Sequence, residues 1–431
     1  MFRVLLDIWR SPDLRRKILF TLGIIVIFRI VAFIPAPGVD PSALRGIFGD
    51  SQSFEQVLRL LDLFSGGTLL NFSIVALGLN PYINASIIMQ LLGVTIPKLE
   101  ELQKEGEYGR QKITQYTRYL TVPLALVQSY GIITLIRRNS PELLGDLSSL
   151  NLLTIILTMT AGALLLMWFG ELITESGIGN GISILIFSGI IARLPVNFGQ
   201  TAQIFNPQNI NLFIALIFLG LVVIVAAILI SEGQRRVLIQ YARRVRGNRQ
   251  YGGQSTHLPI RVNQAGVIPL IFAISIILLP SMIGEFFSSA STPIIANTAI
   301  AIRDFFANTI NYSAVYFVLV LGFAYFYTAI TFNPTKVADD IKKFGGFIPG
   351  IRPGKATADF LSFILNRITL VGGSFLGLIA ILPFIATELT GISTLALGGT
   401  SLLIVVSVII ETTKQLESQL IMRSYEGFLY K

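Results

Sequence analysis

The chain contains no cysteine and a single histidine, His257, in 431 residues. The first absence excludes a disulfide framework and a thiolate metal site, and the second leaves too few imidazoles for a histidine metal cluster. Charge is also scarce: 13% of the residues are Asp, Glu, Lys or Arg, against 53% hydrophobic. That balance excludes an ordinary soluble domain and indicates a polytopic membrane protein. Ionisable groups are nearly missing from the middle of the apolar runs. Glu171 and Glu388 sit at run ends, and only Arg29 lies inside one, close enough to its end for the long stem to snorkel outward. Ion-coupled carriers place ionisable groups at membrane depth, so no proton relay or ion site is offered. No carboxylate pair or general base is offered either, so the expectation is a protein that is not an enzyme and holds no cofactor. Gly177-Ile-Gly179-Asn-Gly181 looks like a phosphate-binding turn, but no strand precedes it. A tight turn between two spans is the better reading, because glycine tolerates positive φ. The charged N-terminal stretch leads into its span without a small-residue cleavage site and is expected to be retained.

Ten apolar runs predict ten helices, near 18–34, 74–93, 119–136, 151–170, 182–194, 209–230, 264–284, 313–331, 368–387 and 394–411. An even number puts both termini on one side. With that side taken as cytoplasmic, 26 of the 33 Lys and Arg residues lie there and 6 lie opposite, which is the bias the positive-inside rule describes. The second and seventh runs share Gly-x-x-Pro-x-x-x-Ala, at Gly78, Pro81 and Ala85 and again at Gly266, Pro269 and Ala273. Each is the second span of a five-span half. An odd number of spans per half forces the two halves, 1–205 and 206–431, into opposite orientations, the inverted repeat of many transport proteins. Glycine and proline are common in membrane helices, so the match by itself is also open to chance.

The stretch from Leu61 to Gly93 does not read as one helix. Its first piece, Leu61 to Phe72, is broken by Gly66 and Gly67 and is too short to cross a bilayer, which takes about 20 apolar residues. A short segment at membrane depth needs protein or a water-filled cavity around it, so this piece reads as a removable plug beside one wall of a pore. Isoleucine recurs at helical spacing: Leu79, Ile83 and Ile87, then Ile182, Ile186 and Ile190. Residues four apart share a helix face. Such faces serve lipid and interhelical packing, and equally a constriction that stops ions by dewetting.

Two long loops concentrate base. The first, 231–262, holds Arg235, Arg236, Arg243, Arg244, Arg246 and Arg249 interleaved with Tyr241 and Tyr251. The second, 332–367, carries Arg352 between Pro349 and Pro353, followed by Lys355. This mixture suits phosphate contacts and stacking on RNA, or an acidic protein surface. A topology signal touching anionic lipid heads is the plainer reading.

These residues resemble the SecY family, the pore subunits of the bacterial protein-conducting channel. The likeness covers essentially the whole chain. It is carried by Gly78-Leu-Asn-Pro-Tyr-Ile-Asn-Ala-Ser-Ile87, Gly177-Ile-Gly-Asn-Gly181, Gln254-Ser-Thr-His-Leu-Pro259, Ala265-Gly-Val-Ile-Pro269, Phe347-Ile-Pro-Gly-Ile-Arg-Pro-Gly354 and Gly398-Gly-Thr-Ser-Leu-Leu-Ile404. The resemblance implies an all-α integral membrane fold, with ten transmembrane helices in two inverted five-helix halves forming a clamshell around an hourglass pore. It implies a pore ring at Leu79, Ile83, Ile186, Ile190, Ile271 and Ile404. Leu79 stands where isoleucine is common in the family. It implies a short plug helix of roughly Leu61 to Phe72, including Leu61, Leu63, Phe64, Gly66, Gly67, Leu69, Leu70 and Phe72, and a lateral gate between spans 2 and 3 and spans 7 and 8. The basic residues Arg235, Arg236, Arg243, Arg244, Arg246, Arg249, Arg352 and Lys355 correspond to a docking site for the SecA ATPase or the ribosome and its rRNA. SecE is the implied obligate partner, with SecG, YidC, signal peptides, nascent polypeptides and membrane lipid as further ones. The implied location is the bacterial cytoplasmic membrane; a thylakoid membrane fits less well. A carrier for a small solute also suits inverted halves but lacks ion-coupling residues. A membrane transferase would need acidic metal ligands, and the adjacent pair Asp339 and Asp340 sits among Lys336, Lys342 and Lys343.

Overall fold

A computed structural model describes residues 11–37, 62, 65–69, 71–139, 148–203, 210–241, 244–246, 249–251, 255–288, 292–390 and 396–429. Leu61, Leu63, Phe64, Leu70 and Arg243 lie outside these residues. The helices in the first half are α1 (Pro12–Ala32), α2 (Asn80–Thr95), α3 (Pro97–Lys104), α4 (Glu107–Asn139), α5 (Ser149–Ser176) and α6 (Gly181–Gln203). Those in the second half are α7 (Ile210–Glu232), α8 (Ile268–Phe287), α9 (Pro293–Ala307), α10 (Thr309–Thr331), α11 (Pro334–Lys343), α12 (Lys355–Thr390) and α13 (Ala396–Leu429). Each of the ten apolar runs falls on one of these helices. The segments Ser149–Ser176, Thr309–Lys343 and Lys355–Leu382 are each long and apolar enough to cross a membrane, and α2 with α3 makes a fourth candidate bent by 100°.

Several helices run further than their apolar cores. The helix of the third span, α4, begins at Glu107, that of the ninth, α12, at Lys355, and that of the last, α13, continues to Leu429. A hydropathy window sees only the apolar part, whereas backbone hydrogen bonding carries the helix on into charged, solvated turns. The fifth passes Pro195 and reaches Gln203. The short helices α3, α9 and α11 occupy stretches that apolarity alone leaves as loops. In α11, Ala338 and Ile341 are buried, and Asn333 caps the helix by accepting from the Lys336 amide at 3.1 Å. Asp339 and Asp340 therefore sit on a solvated amphipathic helix. The glycine-rich segment at 177–181 is the expected turn: Asn180 Oδ1 accepts from the amides of Ile182 and Ser183 at 3.1 and 3.2 Å and starts α6.

The long basic loops are not structureless. β1 (Gln234–Tyr241) pairs antiparallel with β4 (Ser255–Arg261), and β2 (Arg244–Arg246) with β3 (Arg249–Tyr251). β5 (Gly346–Phe347), from the second loop, joins the other edge of β1, so the larger sheet has the order β4-β1-β5. Val237, Ile260, Ile348, Leu361, Ile364 and Leu365 pack beneath it as a separate apolar cluster. The main cluster runs through the helical body and draws on both halves. The halves meet along two seams: α8 packs against α2 and α4, and α6 packs against α13.

Candidate functional site

Every expected ring residue sits on an element at one of these seams. Leu79 immediately precedes α2 and Ile83 lies in its first turn. Ile186 and Ile190 are one turn apart on α6, Ile271 is on α8, and Ile404 is on α13. All six are at most 5% exposed. They belong to one contiguous apolar cluster that includes Leu69 and Phe72. Burial excludes a lipid-facing stripe for these six and leaves interhelical packing and a constriction as the two readings.

Local backbone explains how the first half delivers Leu79 and Ile83. Gly78 has φ +60°, and Gly266, its counterpart in the shared motif, has φ +63°. In both places the glycine takes the left-handed conformation just ahead of a helix, and Pro81 or Pro269 occupies the first turn. A proline there gives up no hydrogen bond, because those amides have no partner within the helix. The shared pattern therefore encodes the same entry into two helices.

The expected plug differs in form from a helix reaching Phe72. Among the described residues Asp62 and Ser65 are helical, and the chain turns at Gly66 and Gly67, with φ +72° and +87°. Gly66 lies against Gly189 of α6: a Cβ on Gly66 would fall 2.7 Å from the Gly189 Cα. Two arginines hold this turn. Arg29 does not snorkel outward. Its Nη1 donates to the Gly66 carbonyl at 3.1 Å, its Nη2 donates to the Ser188 carbonyl, and its guanidinium lies 5.0 Å from the Phe28 ring centre. Arg193 forms an ion pair with Asp62 and donates to the Gly67 carbonyl at 3.3 Å. Sequence reading missed Asp62 and Arg193. The one available signal was their isolation: Asp62 is the sole Asp, Glu, Lys, Arg or His between Leu60 and Ile96, and Arg193 the sole one between Ser176 and Leu229.

The seam between α8 and α2 contains polar groups that spacing did not reveal. A cavity of about 20 Å³ there is lined by Asn80, Asn84, Gln128, Ile132, Ser275 and Leu278, among others. The Oδ1 of Asn84 and the Oγ of Ser275 are buried without a hydrogen-bond partner among the described residues. This interface between the halves therefore carries buried polar atoms that no described residue pairs with. A larger cavity, about 450 Å³, opens beside the start of α8 and is lined by Arg261, Asn263, Tyr327, Glu411, Lys414 and Gln415, among others.

The docking residues divide into two places joined by the sheet. Arg235 and Arg236 are exposed on β1, opposite Ile260 and Pro259. Arg244 lies opposite Tyr251, and Arg246 opposite Arg249, in the outer hairpin. Arg352 and Lys355 are exposed just before and at the start of α12, and the Arg352 carbonyl accepts from Thr357 Oγ1 at 2.9 Å. Pairing of Gln240 with Phe347 links the two loops.

The SecY family pattern matches residues 73–413. The protein translocase subunit SecY of Streptomyces scabiei is 48% identical, over 98% of this chain and 98% of its own length. A solved structure of a SecY protein, concerned with a plug domain that stabilises the closed state of a translocation channel and maintains a membrane seal, superposes with a TM-score of 0.64. It is 19% identical, over 95% of this chain and 93% of that one. Sec61 in the canine ribosome–channel complex superposes with a TM-score of 0.55 at 16% identity, over 95% of this chain and 93% of that one. The two structures share the fold, and the Streptomyces relative is matched along nearly the whole chain. The chain belongs to the SecY family.

Proposed function

We propose that the chain is the pore subunit of a protein-conducting channel, in which unfolded polypeptide passes between halves 1–205 and 206–431 and apolar segments leave sideways into lipid. One observation supports this reading: six apolar side chains on α6, α8, α13 and at the start of α2, elements that meet across the seams, are each buried and belong to one apolar cluster. An apolar constriction holds back ions by dewetting, yet deforms around a passing chain because it relies on no fixed hydrogen bonds. Family membership supports the channel and gives no support to a carrier for small solutes.

The stretch at about 61–72 acts as the plug, and the α2/α4 seam with α8 acts as the lateral gate. At an open seam a substrate segment samples both water and lipid. A leucine-like residue favours lipid by about 0.5 kcal/mol, and a charge at mid-helix opposes it by about 2.5–3.5 kcal/mol. Exposure to both phases is therefore enough to sort membrane segments from secreted ones. The chain itself supplies binding and partition, and the driving force comes from a partner. The basic sheet and the Arg352 tip form the docking face for the SecA motor and for the ribosome, where guanidinium groups pair with phosphate or acidic side chains. SecE is the obligate small partner, with SecG and YidC as accessory ones. The protein lies in the bacterial cytoplasmic membrane with both termini on the cytoplasmic side, as the distribution of Lys and Arg supports.

Planar-bilayer recording on the reconstituted complex tests the ring. Ile83→Asn, Ile190→Asn or Ile404→Asn is expected to raise resting ion conductance and to admit substrates with weakened signals. Unchanged conductance and unchanged signal selectivity in all three would overturn the proposal.

A further inference from the structure

The plug segment is held differently at its two ends. Downstream it is sewn to the end of α1 by main chain: the Ala36 amide donates to the Phe72 carbonyl at 2.8 Å, and the Ile74 amide to the Ile34 carbonyl at 3.0 Å. Ser73 Oγ adds a bond to the Val31 carbonyl at 3.0 Å. Upstream, the bonds described to neighbouring helices come from arginine side chains, Arg193 to Asp62 and to the Gly67 carbonyl, and Arg29 to the Gly66 carbonyl. Internal bonds stiffen the piece between: Ser65 Oγ donates to the Asp62 carbonyl at 3.1 Å, and Thr68 Oγ1 lies 2.9 Å from both the Ser65 and Val75 carbonyls. A stiff piece with a main-chain hinge at one end and charged contacts at the other swings when those contacts break.

We propose that Asp62, Arg193 and Arg29 form a releasable electrostatic latch, a specificity-determining set that fixes how strong a signal must be to displace the 62–69 segment. Three features fit a latch better than general packing. The Asp62 side chain is almost fully buried and Arg193 is only partly so, and a carboxylate in that setting depends on its cationic partner. Arg29 bridges the segment and α6 at once, since its second donor reaches Ser188 beside Gly189. The Gly66 backbone rests on Gly189 with no side chain of either between them, so that close approach adds no side-chain interlock to the charged contacts. Release leaves Arg193 without its carboxylate and Arg29 without the Gly66 carbonyl, two guanidinium groups beside the vacated space. That opposes opening until a substrate fills the pore.

The inference rests on the plug reading, and one set of measurements separates the two. Full-length channel with its small subunit is reconstituted in planar bilayers as wild type, Asp62→Asn, Arg193→Gln, the double variant, Arg193→Lys, and a deletion of 62–69. The same set is scored for export of a substrate whose signal core carries one charge. Asp62→Asn and Arg193→Gln are each expected to raise the resting open fraction about tenfold, equivalent to about 1.4 kcal/mol, and to rescue the defective signal. The double variant should be no worse than the worse single one, since both remove the same contact. Arg193→Lys keeps the charge and should fall between wild type and Arg193→Gln. A deletion that leaves resting conductance unchanged overturns the plug reading and the latch with it. A deletion that opens the channel while both isosteric variants stay at wild-type conductance overturns the latch alone, as does an additive double variant.

Discussion

At the residue scale a tight tolerance bearing on the plug lies between Gly66 and Gly189. A Cβ on Gly189 would stand 2.6 Å from the Gly66 Cα. Real Cβ atoms do not approach a backbone carbon so closely, and the neighbour is main chain rather than a pliable side-chain tip. Gly189→Val must therefore push the 62–69 segment off α6, lengthening the Arg29 and Arg193 contacts along with it. The expected outcome is a raised resting conductance with normal assembly. Gly199→Val on the same helix is the control, because its Cβ would meet no atom within 4 Å. Equal conductance in the two variants would show that the close approach has no bearing on closure. Charge is used with equal economy here. Arg29 lies within an apolar helix, where an unpaired cation is expensive, and it persists because two carbonyls accept from it.

At the element scale α8 is the helix on which the proposed opening depends. It carries Ile271 of the ring and Ser275 of the small polar cavity, and it packs on α2 and α4 across the seam. Deleting one buried polar partner usually destabilises, but replacing both members of an unsatisfied pair with apolar groups of similar shape can be neutral or stabilising. Asn84→Leu with Ser275→Ala is therefore expected to tighten the seam. Segments of marginal hydrophobicity should then be inserted less often and exported more often, which a glycosylation-tag partition assay reads directly. An unchanged partition would mean that these polar atoms do not tune the gate. The basic sheet yields a second prediction at this scale. β5 ties the second loop to β1, so Arg235→Glu and Arg352→Glu should each weaken motor or ribosome binding several-fold. Both effects should shrink at high salt, because exposed charges are screened over roughly 10 Å at 0.1 M. Titration across salt concentrations checks both. Much of this scale was open to sequence reading. The ten helices follow from apolar runs, and the entries to α2 and α8 follow from the repeated glycine and proline. Three features were hidden. The sheet depends on pairing between residues over 100 positions apart, such as Gln240 with Phe347. The extended helix ends are polar, so no apolar window marks them. The turn at Gly66 depends on arginines from α1 and α6 that no local pattern connects to it.

At the scale of the whole molecule, the two halves touch along a pair of seams, and the ring residues occupy the elements of both. If α6 against α13 serves as the fixed side and α8 against α2 and α4 as the mobile side, opening is a rotation of one half on the other. The ring then widens and the lipid-facing seam parts in one movement. Coupling these events has a physical basis: packed helices move as rigid bodies, and a close-packed interface shifts between discrete arrangements rather than stretching. The absence of native cysteine makes this directly testable, since an introduced pair has no competitor. Asn84→Cys with Ser275→Cys places one thiol on each side of the small cavity that both residues line. Joining them with a short bifunctional thiol reagent should block insertion of a strongly apolar segment, and reversal of a cleavable linker should restore it. Each single-cysteine channel, treated identically, should insert normally. Secretion of a fully polar substrate should also fall, because a molecule hinged at α6 and α13 cannot widen its ring while the opposite seam is tied. Normal export through the joined channel, with insertion blocked, would instead mean that the ring dilates within static halves and that the seam opens on its own.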